Sequence, residues 1–214
     1  MTYLEIVNSV LTRLRENEVA TLSATPYSSL IAKYVNDIKR QVEDAFNWEA
    51  LEQTITVATV AGTSTYTVTG SGRRPKNVTI NDTTNQSQLR NVPLQWILDQ
   101  QQLSTVQNGN PIYYAWNGWT GTDSRVELYP TPDGVYSIKY NLNVPQANLS
   151  LGTDVLLIPE DPVILGAYAR AVAERGEDGG LASSEAYGLY KSALSDAIAV
   201  EATRFIENDC FVAV

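Results

Sequence analysis

Histidine is absent from this sequence, and Cys210 is its single cysteine. Without imidazole there is no Ser-His-Asp or Cys-His nucleophilic machinery and no histidine-liganded metal site, and one thiol cannot build a thiolate zinc site. That leaves carboxylate chemistry or no chemistry, and no catalytic residue, metal ligand or cofactor-binding residue is assigned. One cysteine also allows no internal disulfide, so the core alone holds the fold, which suits assembly in a reducing cytoplasm. Long apolar runs are missing too: none approaches the roughly 20 residues of a membrane span. The start, Met1-Thr2-Tyr3-Leu4-Glu5, lacks the basic and apolar regions of a secretory signal. A soluble protein that stays in the cytoplasm of the producing cell until something else carries it out, with no membrane partner, is the expectation. We find no internal repeat and no low-complexity segment.

Charge is sparse, at 18% of residues, and unbalanced, with 15 basic against 24 acidic side chains for a net −9. Affinity for a phosphate backbone comes from clustered Lys and Arg that release counterions, so tight nucleic-acid binding is not expected. The imbalance sits at the ends: residues 1–52 hold 5 basic and 8 acidic side chains, 53–152 hold 6 and 5, and 153–214 hold 4 and 11.

Thr2 and Glu5 have the spacing of a capping box, in which hydroxyl and carboxylate each satisfy a free amide at a helix start. Tyr3, Val7, Val10, Leu11 and Leu14 then share a face, which predicts a helix over about 2–16. Thr25-Pro26 repeats the start signal, and a second helix is predicted from there to about residue 49, roughly 35 Å at about 1.5 Å per residue. In its "YVNDIKRQVEDAFNW", Tyr34, Ile38, Val42 and Phe46 form an apolar stripe, and Lys33, Asp37, Arg40 and Asp44 a wet one. The wet pairs run base before acid, the weaker orientation, so packing rather than surface charge holds this helix.

After Leu51 the period changes to two. "TITVAT" and "TYTVT" around "AGTS" read as a hairpin of β-branched strands. "RRPKNVTIN", "SQLRNV", "PIYYAWN", "SRVELYP" and "VYSIKYNLN" read as further strands, with a helical turn at "PLQWILDQQQ" facing Leu94, Ile97 and Leu98 inward. From Pro159 the helical period returns, up to the Gly176 and Gly179-Gly180 stops. A last helix over about 182–206 would turn Tyr187, Tyr190, Leu194, Ile198 and Phe205 inward. Small residues such as Gly166, Ala167 and Ala171 would let these two helices approach closely. The fold class expected is α+β: a helical bundle formed by the N-terminal and C-terminal helix pairs, with an inserted antiparallel β-rich lobe. The boundaries are 1–52 and 153–206 for the two helical pairs, 53–152 for the lobe and 207–214 for a C-terminal tail.

Three stretches invite a chemical reading. Asp123, Glu127 and Asp133 lie near one another beside aromatics, as paired glycosidase carboxylates would, but Asp133 sits in the turn signature "TPDG". "GSGRRP", Gly70–Pro75, has the glycines and cations of an anion loop but lacks the Lys-Ser/Thr and the following helix, and reads as a hairpin tip. Arg73 and Arg74 would then meet an acidic partner surface. "IYYAWNGW" concentrates Tyr113, Tyr114, Trp116 and Trp119, either as core filling or as an exposed platform, led by Trp116 and Trp119, for a sugar or a protein neighbour. The last residues, "ENDCFVAV", either fray or dock into a neighbour through Cys210, Phe211, Val212 and Val214.

The opening "MTYLEIVNSVLTRLRENEV", the helix "LIAKYVNDIKRQVEDAFNWEAL" and the later "IPEDPVILGAYARAVAERGED" together resemble head-to-tail adaptor (connector) proteins of tailed bacteriophages, most closely the tail tubular protein A type of short-tailed phages. The likeness covers roughly 1–52 and 155–206 and rests on helix order, a tryptophan closing the second helix and the Ile-Pro-Glu start of the third. The middle resembles the family only in being rich in strands. The resemblance implies a non-enzymatic virion component at the head–tail junction: a homo-oligomeric ring, commonly a dodecamer, between the portal protein and a tail nozzle of the tail tubular B type. Double-stranded DNA would pass through it without tight binding, and a terminal segment would lock into the portal. An acidic or neutral wall has the right sign for such a passage. The alternative is a carbohydrate-binding or adhesion module using residues 113–119, and a third reading is a glycoside-cleaving enzyme dependent on Asp123 or Glu127.

Overall fold

A computed structural model describes residues 1–103, 107–176 and 181–204. The fold is α+β, with helices at both ends of the chain and strands between them. It divides into two compact units, a helical one from Met1–Ala50 with Gln146–Val214, and a strand-rich one from Leu51–Pro145.

In the helical unit, α1 (Tyr3–Arg13) begins with the expected capping box: Thr2 N donates to Glu5 Oε2 at 2.8 Å, and Glu5 N to Thr2 Oγ1 at 3.4 Å. The second helix, α2 (Pro26–Ala45), is likewise capped by Thr25, with Ser28 as its reciprocal partner. It stops short of the predicted end because Phe46 is extended and the chain turns back on itself. That reversal buries Trp48, whose Nε1 donates to the Val42 carbonyl at 2.7 Å. Val42 C=O is one of the last four carbonyls that a helix cannot satisfy internally, so the tryptophan acts as a C-terminal cap. The buried line of α2 is Ile31, Val35, Ile38 and Val42, while Tyr34 and Phe46 are only half-buried.

The C-terminal part adds α4 (Glu160–Arg175) and α5 (Leu181–Ala202). Gly176 closes α4 in the left-handed conformation, at φ 64°, where a side chain would be strained. Between Gln146 and Ile158 the chain lies along the N-terminal pair. Asn36 clamps Leu149 with two hydrogen bonds (2.9 and 3.0 Å), Tyr3 N donates to Asp154 O at 2.8 Å, and Thr2 forms an antiparallel bridge with Val155. Arg175 reaches α1, pairing with Glu16 and donating to the Leu14 carbonyl, while Arg170 pairs with Asp37 of the wet stripe. The two ends of the chain thus form one bundle. Gly166 marks a close approach within it: a Cβ there would stand 2.6 Å from Ile38 Cγ2 and 3.1 Å from Tyr190 Cδ2.

The strand unit holds two four-stranded sheets. One has β1 (Glu52–Ala58), β8 (Ser137–Asn143), β3 (Lys76–Asp82) and β4 (Ser87–Gln88) in that order; the other has β2 (Thr65–Thr67), β7 (Ser124–Tyr129), β6 (Tyr113–Trp119) and β5 (Arg90–Asn91). Among the described strands β5 and β6 pair in parallel and the rest antiparallel, and an isolated parallel bridge joins Asn108 to Thr131. Side chains of both sheets share one core, including Ile80, Ile138, Tyr140 and Leu142 from the first and Tyr114, Val126 and Leu128 from the second. A short helix, α3 (Leu94–Gln101), buries Ile97 against Ala115 and Tyr129 of the second sheet, with Leu94 and Leu98 half-buried.

The predicted β1–β2 hairpin does not form: β1 pairs with β8 and β2 with β7, in different sheets. The connecting residues instead wrap the Tyr66 hydroxyl, which accepts from Val60 N and has the carbonyls of Thr63 (2.7 Å) and Val60 (3.0 Å) within reach of its single hydrogen. Alternation tells which side of a strand faces inward but not which strand lies beside it.

Candidate interaction surfaces

"GSGRRP" is not a hairpin tip but the connection from β2 in one sheet to β3 in the other. Gly70 and Gly72 both have positive φ, and both amides donate to Asp123 Oδ1, at 2.8 and 3.3 Å. Ser124 Oγ has the carbonyls of Gly72 (2.8 Å) and Arg73 (3.2 Å) within reach of its single hydrogen, and Ser71 Oγ accepts from Ser124 N. The backbone of Arg73 is therefore held from both sides, and its guanidinium lies 4.4 Å from the centroid of the Trp119 ring. At an exposed site such a cation–π contact contributes about 0.5–1 kcal/mol. Trp119 is 41% exposed, and Arg74, next to Arg73 in sequence, is exposed as well.

Trp116 takes a different course. The register of β6 against β7 shifts between Trp116 and Trp119, so the two indoles are not a matched pair on a straight strand. Trp116 is half-buried against Tyr140, with centroids 6.5 Å apart, and its Nε1 donates to Asn77 Oδ1 at 3.0 Å. The structure thus brings together Arg73 and Trp119 and assigns Trp116 to the edge of the core. A twin-indole platform for sugar stacking is not what this segment builds. Cys210, Phe211, Val212 and Val214 lie outside the described residues.

The three carboxylates singled out in the sequence are each occupied by their own chain. Asp123 holds the Gly70–Gly72 loop, and Asp133 accepts from the Tyr136 hydroxyl. Glu127 is buried on β7 and accepts from four side chains: Ser64 Oγ, Thr65 Oγ1, Gln101 Nε2 and Asn117 Nδ2. Desolvation alone would push its carboxyl up, but the donors from Gln101, Ser64, Thr65 and Asn117 together outweigh burial and hold it below the usual carboxylate value. A folded-state value below the unfolded one means that Glu127 stabilises the strand unit above pH 4.5 and loses that contribution as pH falls through its depressed value. Glu127→Gln should cost about 1–3 kcal/mol at neutral pH, because an amide brings donors to a site already full of them. Thermal unfolding at pH 7 and pH 3 checks this: the gap between the two pH values should be smaller in the variant than in the wild type. An unchanged gap would show that Glu127 does not carry the acid sensitivity. Among the described residues, no group of His, Cys, Asp and Glu side chains could hold a metal ion.

On the helical unit the most informative residues were not singled out in the sequence. Lys39 and Glu43 form an ion pair of 2.9 Å with both side chains only 1% exposed. Lys39 Nζ also donates to Gln146 O at 2.6 Å, and Gln146 N to Glu43 Oε1 at 3.2 Å, so the pair pins the returning chain to α2. Burial pushes the lysine down and the glutamate up from their ordinary values. Helix α5 also departs from expectation. Ala186, Tyr190 and Leu194 face inward and Ile198 is half-buried, but Tyr187 is 52% exposed. Together with Leu181, Leu189 and Val200 it leaves an exposed, weakly charged helix surface. Beside it a groove of about 440 Å³ runs between Ile38, Gly166, Arg170, Tyr187 and Tyr190. No helix of the described residues is long and apolar enough to cross a membrane.

A family model described as SU10 adaptor protein matches residues 1–207 of the chain. No curated protein matches it.

Proposed function

Since the chain belongs to the SU10 adaptor protein family, we propose that it is the head-to-tail adaptor of a tailed phage, built as a closed ring between the portal protein and the tail nozzle. The family makes it a phage adaptor, a structural protein of the virion, and the proposal adds the ring, its neighbours and the passage of genome DNA. The observation that carries it is the extent of the match, which runs through both the helical ends and the strand unit between them.

Two physical features support the reading. A head-to-tail ring needs two different complementary faces on each copy, with closure set by the angle between them. The chain has two chemically different units: the helical one holds 9 basic and 18 acidic residues and the strand one 6 and 6. A net charge of −9 also repels a phosphate backbone, so DNA would slide rather than stick. The tail tubular protein A type, a dodecameric ring, a nozzle partner of the tail tubular B type, and docking of Cys210–Val214 into the portal belong to the same proposal.

Co-sedimentation of the purified chain with portal rings tests it. The chain should pellet with the portal at a fixed, saturating number of copies per ring, and removal of residues 207–214 should lower that binding. A wild-type chain that stays in the supernatant at all concentrations would contradict the proposal.

A further inference from the structure

We propose that the Arg73–Trp119 end of the strand unit is an interaction surface for a second copy of this chain, and that it engages that copy's acidic helical unit. The inference rests on the ring reading and says which chemistry joins neighbouring copies.

The strand unit has equal numbers of basic and acidic residues, but they are not equally available. Asp82 and Glu127 are buried, and Asp123, half-buried, is held by the Gly70 and Gly72 amides and by the Thr122 hydroxyl. Asp82 likewise spends its oxygens on Thr84 N and Asn85 Nδ2 within its own turn. The cations point the other way. Arg73, Arg74, Arg90, Arg125 and Lys139 are all exposed, and none of them forms an ion pair among the described residues. Against these five cations the unit exposes three carboxylates, Glu52, Asp99 and Asp133, the last two hydrogen-bonded to Gln95 and Tyr136, so a unit neutral by count presents a net basic surface.

At one end that surface is also rigid. The loop carrying Arg73 is fixed by Asp123 and Ser124, and Trp119 lies under its guanidinium. Arg125 closes the group: its guanidinium lies 3.9 Å from where a side chain on Gly118 would begin, at a residue whose φ of +69° favours glycine. Arginines with an exposed tryptophan, held in place before any partner arrives, are the residue types that dominate protein interfaces, and pre-ordering lowers the entropy lost on binding. The chemistry that answers them is carboxylate. The helical unit supplies it in twofold excess over its own cations. Glu160 and Asp161, adjacent in the first turn of α4, are exposed and form no ion pair among the described residues. A contact from strand unit to helical unit joins unlike faces, so it propagates head to tail instead of stopping at a dimer.

Sedimentation of the full chain at high protein concentration tests this. The wild type should self-associate at low ionic strength and dissociate at about 1 M salt, where the Debye length is about 3 Å. Arg73→Glu/Arg74→Glu should weaken self-association at least tenfold, with stability lowered by no more than the Arg73–Trp119 contact contributes, because both side chains are exposed. Arg125→Glu should weaken it independently. Because the double variant keeps its acidic helical unit, it should still bind one wild-type copy and cap its growth. Absence of self-association in the wild type, a variant that associates as the wild type does, or a variant altered only in duplex DNA retention would each overturn the inference. Portal co-sedimentation separates the two levels. If the variant saturates the portal as the wild type does, this contact is wrong and the ring stands; if the wild type never saturates it, the ring itself is wrong.

Discussion

Lys39→Met is expected to destabilise the helical unit by about 3–5 kcal/mol, the largest effect of any single exposed-to-apolar or charge-removing change we foresee. The substitution preserves the stem volume but leaves Glu43 buried and ionised with no counter-charge. A typical domain has about 5–15 kcal/mol in total, so the loss would show as premature unfolding of the whole bundle. Lys39→Met/Glu43→Leu should recover most of the loss, because a buried ion pair gains little over well-packed apolar groups once its desolvation is counted. The single variant should also depend on pH. Burial already raises the Glu43 value, and Lys39 opposes the rise more than the Gln146 amide does. With Lys39 gone, the protonated form is favoured further, so stability is regained below the unfolded value near 4.5 and lost as pH rises through the raised one. Urea unfolding read by amide exchange in α1, α2 and α4 measures this. Equal stability of single and double variants would show that the pair is not buried as described.

Gly166→Ala is the second large effect, and its sign opposes intrinsic propensity. Alanine is the better helix former by about 1 kcal/mol. Here its methyl would meet Ile38 Cγ2 at 2.6 Å, with Ile38 Cδ1 at 3.2 Å and Tyr190 Cδ2 at 3.1 Å. The branched carbon of a buried isoleucine cannot swing aside, so α4 must move off α2, at a net cost of about 1–3 kcal/mol, and Gly166→Val should cost more. Gly188→Ala is the control. Nothing stands within 4 Å of a Cβ there, and the same substitution should stabilise by about 0.5–1 kcal/mol. Combining Gly166→Ala with Ile38→Ala should cost less than the sum of the single changes, since both act on one contact. Thermal unfolding of the five variants, Ile38→Ala included, decides it, and a stabilising Gly166→Ala would mean that the helices are not this close.

These cases show why parts of the fold were legible in the sequence and parts were not. Helix starts are local: Thr2 with Glu5, and Thr25 with Pro26, act within one turn, and each begins the helix it was expected to begin. The end of α2 depends on Trp48 turning back to the Val42 carbonyl, a choice made by tertiary burial. Strand positions followed from alternation, but pairing did not, because β1 finds β8 across most of the strand unit. The helical face containing Lys39 and Glu43 reads as wet by residue type. It is dry because residues 146–157 return across it, with Gln146 bonded to the pair and onward to Val155 and Leu157. The one available signal was that i,i+4 opposite charges on a helix can satisfy each other under cover. At the strand-unit surface, Arg73 and Trp119 lie in separate stretches of sequence. Their contact depends on Asp123 drawing the Gly70–Gly72 loop to the start of β7, a link across more than fifty residues that spacing does not reveal.

A phage adaptor must hold two unlike neighbours at once, and the measurement that bears most directly on this account is electron microscopy of the chain assembled on purified portal. The account predicts a closed ring of copies, coaxial with the portal and open along its axis. Copies bound singly or off-axis, with no closed ring at saturating concentration, would contradict it.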